Sequence, residues 1–139
     1  VQRVADYHEA ALADAGIRLK VRGDAAGAFD NALLQRALSN LISNATRYAR
    51  RGTEILVKIE TSQSDVVTLL VQNLGDTVPS EHLPRLFDRF YRSDSQRSDA
   101  NRNHGLGLSI VAAIARMHGG GTLAKSRAGV TSIGLTLRT

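Results

Sequence analysis

The stretch DNALLQRALSNLISNATRY, Asp30 to Tyr48, decides how the rest of the chain reads. Leu34, Leu38, Leu41, Ile42 and Ala45 recur at intervals of one to four residues that keep them on one side of a helix. Asp30 stands where an N-cap belongs, because a carboxylate there accepts from a backbone N–H of the first turn. The pattern predicts a helix from Asn31 to Tyr48. Beside its apolar face, Arg36, Asn40, Asn44 and Arg47 follow at spacings of four, four and three, which stacks two amides and two guanidinium groups on one strip. Asn is a poor helix former. The strip is therefore either a solvated polar face or a place where amide oxygens meet a hard cation and Arg meets phosphate.

Upstream, Val1 to Ala15 carries a weak helical rhythm with Val4, Tyr7, Ala11 and Leu12 on one face, and it stops at Gly16. Ile17, Leu19 and Val21 alternate with Arg18, Lys20 and Arg22, the period of a strand; a short strand is expected at Ala28 and Phe29. Downstream, Glu54 to Thr61 and Val66 to Gln72 flank the polar turn Ser62 to Asp65 and read as a hairpin. A short helix is expected near Glu81 to Phe87, then a mobile polar loop, SDSQRSDANRNH, from Ser93 to His104. Leu108 to Met117 resumes helical spacing, ends at His118-Gly119-Gly120-Gly121, and leads to strands near Thr122 to Ser126 and Thr131 to Leu137. Hairpins mixed with helices argue for an α+β two-layer sandwich, a mixed and mostly antiparallel sheet of about five strands on about three helices.

A length of 139 residues suits one domain, and with no Trp among few aromatics the core should be aliphatic. The absence of Cys excludes disulfides and thiolate metal sites and suits a reducing compartment. The net charge of +5 comes from arginines scattered between Arg3 and Arg138 with no basic and aromatic stripe, so nucleic acid is not an expected partner. No apolar run approaches the roughly 18 residues of a membrane span, and the N-terminal stretch lacks the apolar core of a signal peptide.

Several short motifs follow one another in a specific order. Asn40-Leu41-Ile42-Ser43-Asn44-Ala45 runs on to Arg47-Tyr48, and Gln72-Asn73-Leu74-Gly75-Asp76-Thr77 closes a strand. Leu86-Phe87-Asp88-Arg89-Phe90-Tyr91-Arg92 precedes the polar loop, Gly105-Leu106-Gly107-Leu108 ends it, and His118-Gly119-Gly120 and Gly129-x-Thr131 come last. This succession resembles the N box, first glycine box, F box, lid and second glycine box of histidine kinase ATP-binding domains, in the superfamily that includes DNA gyrase and the heat-shock chaperone ATPases. The resemblance implies a Bergerat-type fold that binds ATP and Mg²⁺. It makes Asn44 the Mg²⁺ ligand, with Asn40, Arg47, Tyr48 and Thr131 also in contact with nucleotide. Arg89 and Arg92 become phosphate ligands, and Gly105, Leu106, Gly107 and Leu108 bring backbone amides at a helix N-terminus to the phosphates. Asn40, Asn44 and Arg92 are the implied catalytic set. Asn73 and Gly75 would receive the adenine, although Asn73 stands where the family usually has Asp and Thr77 where it usually has a second Gly.

One departure bears on chemistry. The family's ATPases carry a water-activating Glu four residues before the Mg²⁺-binding Asn, whereas this chain has Asn40, whose amide cannot accept that proton at neutral pH. Transfer is thereby favoured over hydrolysis. The implied function is a protein histidine kinase of two-component signalling, handing the γ-phosphate to a histidine on a separate helical dimerisation domain. The wording PSEHLPRLFDRFYRSDSQR, with Asn73-x-Gly75, looks like the heavy-metal sensor kinases that respond to copper or silver. A stand-alone ATPase of the same fold and a non-catalytic nucleotide-binding regulatory module remain open alternatives.

The likeness runs from about Ala13 onward, so residues 1–12 are expected to be the tail of a preceding helical dimerisation domain or linker and residues 13–139 the catalytic domain. The family's acceptor run has a basic residue and Pro after His-Glu; His8-Glu9-Ala10-Ala11-Leu12 has neither, and His8 reads as an ordinary helix residue. Neither it nor His82, His104 or His118 shows metal-ligand spacing with a carboxylate. Further implied partners are a response regulator, reached indirectly, and a full-length homodimer anchored in the inner membrane with this domain on its cytoplasmic face, the isolated domain being monomeric.

Overall fold

The computed structural model describes residues 2–14, 16–23, 29–62, 65–88 and 107–138. Helix α1 is Gln2–Asp14 and strand β1 Arg18–Arg22; α2 is Asn31–Tyr48, followed by β2, Glu54–Thr61, and β3, Val66–Leu74. Helix α3 is Gly107–Met117, and β4, Thr122–Arg127, and β5, Val130–Arg138, complete the order. The Asp30 side chain accepts from Leu33 N–H at 3.0 Å, so the cap read from sequence starts α2. The helix ends where Ala49 turns to extended backbone and forms a bridge with Gly75.

The sheet order is β1-β2-β3-β5-β4. Only β1 and β2 pair in parallel among the described strands, and α2 is the crossover such a pair requires. Side-chain alternation then builds the core. Val67, Leu69 and Val71 of β3 lie opposite Leu137, Leu135 and Ile133 of β5, and all six are buried. Ile55 and Val57 extend this layer, and Leu38, Leu41 and Ile42 of α2 with Val111, Ile114 and Ala115 of α3 join the same cluster. The other face of the edge strands carries exposed Arg18, Lys20, Arg22, Lys125 and Arg127.

Three expectations need correction. Tyr7 is 80% exposed rather than on the apolar face of α1, because Val4 and Leu12 already fill the contact with the core. Phe29 belongs to no strand and packs beside the His118 ring; Ala28 lies outside the described residues. The helix expected near Glu81 to Phe87 is one 3-10 turn, Leu83–Arg85, whose N–H groups bond three residues back, Arg85 to His82 O and Leu86 to Leu83 O. The polar stretch 93–104 lies outside the described residues.

Two side-chain contacts tie the helices together. His118 Nδ1 donates to Ile114 O at 2.9 Å while its Nε2 accepts from Asp30 N–H at 3.2 Å, linking the end of α3 to the start of α2. His8 Nε2 meets Ser39 Oγ at 2.8 Å, and its partial burial lowers its pKa from 6.5 because the imidazolium would lose hydration.

Leu41, 1% exposed, should lose about 2–5 kcal/mol of stability on substitution by Ala, read from urea unfolding. For His8, a folded pKa below the unfolded value means stability held above about pH 6.5 and lost as pH falls through it. Melting midpoints measured from pH 8 to pH 5 should therefore drop, and His8→Ala should flatten the part of the slope that His8 supplies.

Candidate functional site

The apolar rows between β3 and β5 end in a polar pair: Asn73 lies opposite Thr131, and they are 2% and 1% exposed. Asn73 Nδ2 is buried without a hydrogen-bond partner among the described residues. Thr131 Oγ1 lies 2.7 Å from Ser126 Oγ, which accepts from Val78 N–H at 2.7 Å. Around this pair the backbone is stapled. Gly75 N–H donates to Gly129 O at 2.9 Å, Gly129 N–H donates to Thr77 Oγ1 at 2.8 Å, and Arg50 N–H donates to Leu74 O at 2.7 Å.

Gly75 is there for a steric reason. A Cβ on residue 75 would lie 2.2 Å from Tyr48 O, so the end of α2 and the exit of β3 touch backbone to backbone. Tyr48, expected among the nucleotide contacts, supplies that carbonyl; its side chain is half-buried.

The polar strip of α2 begins beside α3 and runs toward this corner. Arg36 is exposed and Asn44 only 6% exposed, while Arg47 is half-buried with its Nη1 buried and unpartnered among the described residues. Asn40 Nδ2 donates to Gly107 O at 3.3 Å, which leaves Oδ1 as the acceptor of that amide. A Cβ on Gly107 would meet nothing within 4 Å among the described residues. Leu108 is buried in the core, so only its backbone is left for a ligand. Arg89, Arg92, Gly105 and Leu106 lie outside the described residues.

Two buried polar nitrogens, one amide and one guanidinium, thus lack partners on the two elements that meet at Gly75. Burying them costs about 1–3 kcal/mol each unless a ligand answers them. No cluster of His, Asp or Glu that could hold a metal occurs among the described residues, so a cation here would rest on amide oxygens, Asn44 foremost, and on the ligand's own oxygens. The fit to a phosphate-bearing ligand with a hard cation is good. Sequence reasoning missed Ser126 and treated Thr77 only as a departure; both hydroxyls hold the corner's backbone. Ser126 sits one turn of the strand alternation below Ala124, on the covered face, and that period was its available signal.

Residues 29–139 match the family model described as histidine kinase-, DNA gyrase B-, and HSP90-like ATPase. The chain is 43% identical over 138 residues to the sensor histidine kinase CusS of Escherichia coli K12, covering 99% of this chain and 28% of that protein. It is 43% identical over 119 residues to the sensor protein IrlS of Burkholderia pseudomallei, 86% of this chain and 25% of that one. The chain thus spans about a quarter of the length of these curated relatives. The solved structure of the mycobacterial sensor histidine kinase MprB superposes with a TM-score of 0.82 at 26% identity, covering 98% of this chain and 93% of that one. Full-length ShkA, solved in complex with AMPPNP, has the same fold at a TM-score of 0.82 and 20% identity, covering 98% of this chain and 28% of that one.

Gly75→Ala should cost about 1–3 kcal/mol in chemical denaturation, because the Tyr48 carbonyl has to move. Gly107→Ala, whose Cβ meets none of the described residues, should stay within about 0.5 kcal/mol of the parent.

Proposed function

This chain belongs to the histidine kinase-, DNA gyrase B-, and HSP90-like ATPase family, and we propose that it holds Mg·ATP between the polar strip of α2 and the Asn73 corner for transfer of the γ-phosphate to a histidine. The observation that carries the proposal is the pair of buried, unpartnered nitrogens of Asn73 and Arg47. Base and phosphate chemistry supply the missing acceptors: an amide meets a purine edge, and a guanidinium meets phosphate oxygen.

Asn73 and Thr131 receive the base, and Gly75 keeps the floor of that corner free of a side chain. Asn44 and the Oδ1 of Asn40 are the hard donors for Mg²⁺, which when bound neutralises charge on the phosphates. Arg47 steadies phosphate oxygen from the same helix. Arg89 and Arg92, and the amides of Gly105 to Leu108, are the proposed ligands from the lid side. The transfer breaks the bond between the γ-phosphorus and the bridging oxygen of ADP and forms one to an imidazole nitrogen of the acceptor. This chain's residues position and stabilise charge; none acts as nucleophile or strong base. Asn40 in the place of a Glu leaves water unactivated, which favours transfer over the ATPase reading.

The acceptor histidine belongs, in this reading, to a helical dimerisation domain preceding residue 13, with residues 1–12 as its tail docked through Val4 and Leu12. His8 is already engaged with Ser39 and has no part in the transfer. The whole protein would be a membrane-anchored homodimer of the inner membrane that signals through a response regulator, with copper or silver the stimulus suggested by the heavy-metal wording of 79–97.

Asn44→Ala should reduce ATP affinity at least tenfold with Mg²⁺ present and change it little in EDTA, measured by titration calorimetry beside a melting curve that shows an intact fold. An equal affinity with Mg²⁺ in parent and variant would remove Asn44 from the site.

A further inference from the structure

Asn73 is a buried amide that no hydrogen bond from the described residues holds in one orientation. Its neighbours leave the choice open. The N–H groups of Gly75, Val78 and Gly129 are all engaged within the fold. Thr131, directly opposite, is a hydroxyl that both donates and accepts. The next carboxylate along the chain, Asp76, is fully exposed and 3.7 Å from Arg50, outside the corner. The wall against the base therefore carries neither a fixed charge nor a fixed order of donor and acceptor.

Adenine presents an amino donor at position 6 beside an acceptor at N1, whereas a 6-oxopurine presents an acceptor at O6 beside a donor at N1. An amide answers both patterns, since a half-turn exchanges Oδ1 and Nδ2 at almost the same positions. A carboxylate set against position 6 favours the first, because it accepts from the amino group of adenine but meets O6 as a second acceptor, repelled and unpaired. We infer that the Asn73 corner admits 6-oxopurine nucleoside triphosphates as well as ATP, with Asn73 as the residue that sets this breadth. The inference deepens the nucleotide-site reading and rests on it.

The decisive probe is inosine triphosphate, which has O6 and N1–H but no 2-amino group to add a separate steric test. Calorimetric titration of this chain with Mg·ATP and Mg·ITP at one ionic strength should give dissociation constants within tenfold of each other. Asn73→Asp should separate them by more than tenfold through weaker ITP binding. ATP binding with ITP more than tenfold weaker in the parent chain, or a ratio that Asn73→Asp leaves unchanged, overturns the inference and leaves the nucleotide site standing. Binding of neither nucleotide overturns both. Circular dichroism melting checks the fold of Asn73→Asp, and the parent ratio decides the matter if that variant does not fold.

Discussion

The carbonyl oxygen of Tyr48 occupies the space that a side chain on residue 75 would need. Through that contact the last turn of α2 is held against the exit of β3, and the Ala49 bridge and the Arg50 hydrogen bond keep it there. Everything proposed for the site depends on this placement. It brings a helix strip bearing Asn44 and Arg47 to the end of a sheet row bearing Asn73 and Thr131, although the two lie on separate elements with β2 between them in the chain.

The site is also a continuation of the core. The same alternation that turns Val67, Leu69 and Val71 inward turns Asn73 inward, and the same register that sets Leu137, Leu135 and Ile133 against them sets Thr131 against Asn73. Two polar residues are thus buried by a pattern that apolar residues dictate, because a one-residue slip would expose every Leu and Val on the face. The adjoining aliphatic layer offsets the cost of burying an unpartnered amide.

Much of this was legible in the chain. Asp30, the apolar spacing of α2 and the polar turn Ser62 to Asp65 are local signals, and they located the central helix and the hairpin. Tyr7 misled because periodicity records a face and not how much of it a partner covers. Ser126 and Thr77 were silent because their partners, Val78 and Gly129, lie 48 and 52 residues away. Arg47 and Asn73 were singled out by residue type and motif, but that each keeps a nitrogen unpartnered depends on packing, which no spacing encodes.

Those long separations also carry a cost in loop closure. The β2–β3 hairpin closes over a short turn, whereas the hydrogen bonds of Thr77 and Val78 require β4 and β5 to have arrived across most of the remaining chain. The corner around Asn73 thus closes only over long loops, as does the β3–β5 pairing that supports it. A ligand that recognises only the finished corner draws its affinity from the same equilibrium that closes it, so occupancy and completion of folding are thermodynamically linked in this domain.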